Sequence, residues 1–243
     1  MERTDAHGQV KFETIKNVKY SKISNFNRPS HANEYLCTAL NIANTSTKYI
    51  TGFEAAANAT TAHHVTLHGC KTPGKETAVF KCGKICGSGT PQLLYGWHAI
   101  HPDGSSKDAS KLVLPEDVGV PVSGSDTNID WLVVQIHYKN IDSIPDEGDN
   151  AGVIVQYTDV PQPKIAGVLR TEAAGTYPAM TTTYNEAACQ LTEDLVIHPF
   201  RYEVHTHNLG TVVSGWKVTQ DMSWTLIGKK SYLRGYTIVG PKC

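Results

Sequence analysis

Eleven histidines lie along 243 residues, and three groups of them have spacings that suit metal chemistry. The stretch Tyr202-Glu203-Val204-His205-Thr206-His207 is the most informative. In a strand, residues i and i+2 point to the same face, with Cβ atoms roughly 6–7 Å apart, so His205 and His207 project together and two imidazoles can close on one ion. In Val134-Gln135-Ile136-His137-Tyr138, Gln135 and His137 share one face and the apolar residues take the other. A histidine on the polar face of an apolar strand needs a hydrogen-bond partner or a metal. The third group is His63-His64 with His68 downstream. Adjacent strand residues diverge, so the dipeptide is the weaker signal taken alone. His7, His31, His98, His101 and His198 are scattered and read as surface or structural residues.

Imidazole-rich ligation without thiolate suits copper, zinc or iron. Paired carboxylates of a two-metal magnesium or manganese hydrolase are missing from these stretches. No G-x-S-x-G elbow and no phosphate-cradling glycine motif is present, which argues against serine-hydrolase and nucleotide chemistry.

Strands must carry these side chains. Helical periodicity is hard to find, and short apolar or alternating runs are separated by Gly, Pro, Asn and Asp clusters. The pattern predicts strands over 34–39, 49–53, 64–68, 93–97, 130–138, 152–157, 200–207, 211–217 and 224–228. Turn chemistry such as His101-Pro102-Asp103-Gly104 lies between them. The expectation is an all-β fold of sandwich or jelly-roll type. Val160-Pro161-Gln162-Pro163 suits a linker, because proline cannot donate to a strand ladder. It divides the sequence into an extension over 1–20, a domain over 21–160 and a second over 161–243. The downstream part is thin for a complete sandwich and is expected to leave strand edges and apolar faces bare.

Composition narrows the class. At 40% apolar and 19% charged, with a net charge of -1, the protein is able to bury a core and has no basic nucleic-acid footprint. No stretch approaches the roughly 18 apolar residues of a membrane span. Four cysteines, Cys37, Cys70, Cys82 and Cys86, cluster upstream of Cys189 and Cys243. A single C-x3-C is poor zinc-site spacing, so the cluster reads as a disulfide framework. Sequons at Asn44 and Asn58 agree with an oxidising compartment. Residues 1–17 contain no apolar leader run. The cysteines weigh more, and the expected location is the secretory lumen or the cell exterior.

Several of these stretches, in order, resemble the copper- and ascorbate-dependent monooxygenase family. They are Tyr35-Leu36-Cys37, His63-His64, His68-Gly69-Cys70, Gln135-Ile136-His137-Tyr138, residues 161–167, His205-Thr206-His207-Asn208-Leu209-Gly210, residues 212–215 and Trp224-Thr225-Leu226-Ile227-Gly228. The H-T-H-x-L-G and W-T-L-I-G elements look like the peptidylglycine branch of the family rather than the dopamine branch. The resemblance implies two stacked antiparallel β-sandwich domains with one copper each. It also implies that the second domain is incomplete and the sequence truncated at its C-terminal end. His63, His64 and His137 would hold an electron-storing copper, with Gln135 beside it. His205 and His207 would hold an oxygen-activating copper. Cys37 would pair with Cys82 and Cys70 with Cys86. L-ascorbate is the implied reductant, and molecular oxygen and a glycine-extended peptide are the implied substrates. The implied reaction is hydroxylation of the α-carbon of a C-terminal glycine, the first step of peptide amidation. A truncated copper-binding member without turnover is the alternative. Two positions depart from the family pattern. The family's second copper takes a methionine ligand, and none of Met1, Met180 and Met222 lies in the matching motif. The family's carboxylate-gripping arginine, two residues before H-x-H, is Glu203 here.

Overall fold

The computed structural model describes residues 29–77, 79–98, 110–144, 146, 148–149, 151–192, 194–204 and 210–231, together with the short strands Arg3–Thr4, Val10–Lys11 and Thr237–Val239. The strands in order are β1 (Arg3–Thr4), β2 (Val10–Lys11), β3 (Tyr35–Asn41), β4 (Lys48–Ala56), β5 (Ala62–Cys70), β6 (Thr72–Pro73), β7 (Phe80–Lys81), β8 (Cys86–Ser88) and β9 (Gln92–His98). They continue with β10 (Lys111–Val113), β11 (Val118–Val122), β12 (Trp131–Tyr138), β13 (Gly152–Thr158), β14 (Lys164–Ile165), β15 (Tyr202–Val204), β16 (Val212–Val218), β17 (Trp224–Ser231) and β18 (Thr237–Val239). The fold is all-β, and each stretch with a strand pattern in the sequence holds a strand. The run read over 200–207 is strand at 202–204, and residues 205–209 lie outside the described residues.

The protein divides into two compact units, Met1–Trp97 with Ser110–Ala166, and His98–Ala109 with Gly167–Cys243. In the first unit, one five-stranded sheet runs β7-β3-β12-β5-β9. The second five-stranded sheet is built on β4, which pairs β13 as well as β10 and β11, and β14 adds to β11 in parallel. The proline stretch 161–163 leads into β14, so this unit extends through Ala166.

β12 is the middle strand of its sheet, and its sequence WLVVQIHY shows why. Leu132, Val133, Val134, Ile136 and Tyr138 are all buried, so both faces of the strand are covered. Leu132, Val134, Ile136 and Tyr138 share the face that meets the other sheet. Across that gap Phe53 of β4 stacks on Tyr95 of β9, with centroids 5.5 Å apart and planes 6° apart. The opposite face is covered differently. Cys37, Cys70, Phe80, Cys86 and Val133 form a cluster there around the Cys37–Cys82 and Cys70–Cys86 disulfides. Gly69, next to Cys70 in β5, has the Ile129 side chain against it, and a Cβ there would come within 2.6 Å of that side chain.

In the second unit, β15 pairs antiparallel with β18 and β16 forms a hairpin with β17. The Tyr202 ring lies over Gly228, where a Cβ would collide with it. Residues 167–192 and 194–201 contain no helix or strand and are almost wholly exposed.

Candidate metal centre

The register of β12 builds the site. Gln135 pairs with Cys37 on one side and Thr66 on the other, and His137 pairs with Tyr35 and His64. Opposed residues share a face, so one sheet face has the disulfide cluster at one end and His137, His64 and Tyr35 at the other. Gln135 sits between them, half-buried.

His63 is the residue that strict alternation would send away. His137 pairs with His64, but Tyr138 pairs with Ala62, so two steps on β5 match one step on β12. His63 is the extra residue of a β-bulge, and a bulge re-aims the side chain it bears. This is why two adjacent histidines reach one site. His63, His64 and His137 offer ring nitrogens that all lie within 4.8 Å of one another. His63 Nδ1 and His64 Nδ1 are 3.2 Å apart. Two nitrogens bound at about 2.0 Å to one ion are separated by at most about 4 Å, so that pair already has a chelating separation. The three rings meet at steep angles, with centroids 4.9–5.4 Å apart. They converge rather than stack on each other.

Electrostatics suit a ligand set. Burial, helped by the positive charge of Lys139, holds the His63 imidazole below its ordinary pKa. Burial, with His63 beside it, does the same to His137. Both rings are therefore neutral near pH 7, the form that binds metal. His137 Nδ1 is buried and makes no hydrogen bond among the described residues. A buried ring nitrogen without a partner, on a ring that converges with two other imidazoles, fits a transition-metal ion of the copper or zinc type. It is the only group of three or more potential His, Cys, Asp or Glu ligands with this convergence among the described residues.

The sequence matches a known family over both of its domains. Residues 21–145 match the N-terminal domain of copper type II ascorbate-dependent monooxygenases, and residues 164–238 match the C-terminal domain. The chain belongs to this family. It is 34% identical over 206 residues to peptidyl-glycine alpha-amidating monooxygenase A of Xenopus laevis, covering 84% of this chain and 21% of that protein. It is 32% identical to peptidylglycine alpha-amidating monooxygenase of Rattus norvegicus over 84% of this chain and 20% of that one. DBH-like monooxygenase protein 2 of Mus musculus is 29% identical over 61% of this chain and 24% of its own length. The chain thus spans about a fifth of the length of the amidating monooxygenases it matches.

The remaining site residues divide in two. His205 and His207 lie outside the described residues. Glu203, two positions earlier, is described: its Oε1 lies 3.0 Å from Nε2 of the buried His98. Asn44 and Asn58 are exposed and outside the strands, and Asn58 Oδ1 accepts from the backbone and hydroxyl of Thr60. Cys189 is an exposed free thiol. Sequence reasoning gave Tyr35 no role at the site. Its ring stacks on His137 with centroids 4.0 Å apart and planes 8° apart. Placing Tyr35 opposite His137 on the sheet face requires the β3–β12 register, and no spacing within one strand reports that.

Proposed function

We propose that this chain is the hydroxylating portion of a copper- and ascorbate-dependent enzyme. It would act on the α-carbon of a C-terminal glycine in peptides, the first step of peptide amidation. The observation that carries this reading is the convergence of three imidazoles in a member of this family. Copper, when bound, supplies one-electron cycling between two oxidation states and the activation of molecular oxygen, with ascorbate as the source of electrons.

The residues divide the work. His63, His64 and His137 hold the electron-storing ion, and the bulge and the central strand keep the trio fixed in position. Tyr35 packs against His137 and limits the ring's rotation. Gln135 lies on the same face two residues away. His205 and His207 are the proposed ligands of the second, oxygen-activating ion. The domain over 21–160 would carry the first ion and the domain over 161–243 the second. The disulfides, with N-glycosylation at Asn44 and Asn58, fit maturation in the secretory lumen.

A second reading is a copper-binding relative without turnover. Glu203 favours it, because a carboxylate held by His98 repels the carboxylate of a glycine-extended peptide. One experiment separates the two: metal analysis with ascorbate-dependent oxygen uptake on a glycine-extended peptide. Two coppers per molecule and peptide-dependent uptake support the first reading. One copper and no uptake support the second. Zinc retained against copper challenge contradicts both.

A further inference from the structure

A metal-binding imidazole is ordinarily oriented by a hydrogen bond from its other ring nitrogen to a carbonyl or carboxylate. His137 Nδ1 is buried and makes no such bond among the described residues. What holds the ring is another ring. Tyr35 lies opposite His137 in the β3–β12 register, and the two rings are parallel to within 8°, with centroids 4.0 Å apart. The Tyr35 ring also approaches His64, at 5.8 Å and a tilt of 58°. A turn of the His137 imidazole about its Cβ–Cγ bond would drive its edge into the face of Tyr35, and rings meeting edge to face need about 5 Å between centroids. The stack therefore blocks that turn for as long as Tyr35 stays in place.

The backbone keeps Tyr35 there. Its carbonyl accepts the Cys82 N–H at 3.1 Å, and Cys82 is bridged to Cys37, two residues along β3 and on the same face. On the other side, the Glu34 carbonyl accepts the Tyr138 N–H at 3.0 Å. The Tyr35 side chain is 39% exposed, so its loss does not open the sandwich core.

We propose that Tyr35 is the positioning residue of the three-histidine centre, fixing the His137 imidazole by stacking where a hydrogen bond would ordinarily do so. The inference rests on the reading of the trio as a copper site and adds that the site is formed before the metal arrives. A ligand already oriented loses little freedom on binding, so affinity is gained without a further contact to the ion.

The test uses the 243-residue protein, its Y35F variant, which keeps a ring in the stack, and its Y35V variant, which removes the ring and still suits a strand. Y35L takes the place of Y35V if urea midpoints show that Y35V does not fold. Nuclear magnetic relaxation of isotope-labelled histidine reads the His137 ring in the metal-free protein. Competition with a chromophoric chelator yields the copper(I) affinity, and electron paramagnetic resonance reads the copper(II) form. In Y35V we expect microsecond-to-millisecond motion of the ring, roughly tenfold weaker copper(I) binding and a mixture of copper(II) spectra. We expect Y35F to match the parent in all three. A His137 ring as rigid in Y35V as in the parent, or an affinity within about twofold of it, overturns the role of Tyr35 and leaves the proposed function standing. Equal losses in Y35F and Y35V overturn it as well, because the stack would then not be the cause. A parent that binds no copper at the trio, with a ring that still loosens in Y35V, removes the proposed function and leaves Tyr35 as the residue that orients His137.

Discussion

Two strand pairs of this molecule use the same kinds of residues to different effect. β5 and β12 form the centre of a closed sandwich, where Val65, Leu67, Val133, Val134 and Ile136 are fully buried. β16 and β17 form a hairpin that is also rich in apolar residues, yet Trp224 is 60% exposed and Val212, Leu226 and Ile227 are each nearly half exposed. The first pair has covering layers on both faces, the second sheet on one and the disulfide cluster on the other. That burial keeps an irregular feature, the His63 bulge, in place. The second pair lacks such cover among the described residues: Tyr202 lies over Gly228, and beyond that its strands are held by their own ladder and by the Trp216–Trp224 contact. A metal site that needs three rings fixed together belongs on the first kind of strand.

The contrast is easiest to break in the sandwich. Phe53→Ala removes a ring that is 2% exposed and stacked on Tyr95, and should cost about 3–5 kcal/mol in urea denaturation followed by circular dichroism. The matching change in the hairpin, Trp224→Ala, should cost well under that, about 1 kcal/mol or less. Equal costs would mean that the hairpin is buried against something in solution. Replacing Cys70 and Cys86 together by alanine opens a bridge with a sequence separation of 16. It should cost about 3 kcal/mol by loop entropy and loosen the face shared with the histidines, so copper affinity should fall with stability. Retained affinity in the destabilised variant would uncouple the two ends of that face.

Acid sharpens the comparison further. Glu34 adjoins Tyr35, and its carboxyl is held at about 2 against an ordinary 4.5. Burial alone would raise it, but Lys81 and the Ser30 amide and hydroxyl outweigh burial. The folded pKa is depressed, so the stabilisation is fully present above pH 4.5 and is lost as pH falls toward 2. With Lys81 largely exposed and screened, the loss should be about 2 kcal/mol. Urea midpoints at about pH 6 and about pH 2.5 should differ more in the parent than in Glu34→Gln. The smallest effect should come from Glu203→Gln, which keeps the shape of the His98 contact and should change the stability in urea by less than about 1 kcal/mol.

The strands were legible because each exposes one polar and one apolar face, or two apolar faces between turns. Val133, Val134 and Ile136 carry that signal plainly. His137 was legible as a histidine on the non-core face of such a strand. The joint arrival of His63 and His64 was not, because alternation separates neighbours and the bulge that overrules it arises from pairing with a distant strand. Tyr35 escaped for the same reason. Its closeness to the site is a matter of which strands pair and in which register, and single-strand periodicity reports neither.

The most direct test of the central claim is X-ray absorption on the protein loaded with one equivalent of copper(I), compared with His137→Ala. The account predicts a first shell of imidazole nitrogens in the parent, and a lost nitrogen with at least about tenfold weaker binding in the variant. Copper bound equally tightly and with the same nitrogen count after the substitution would contradict it.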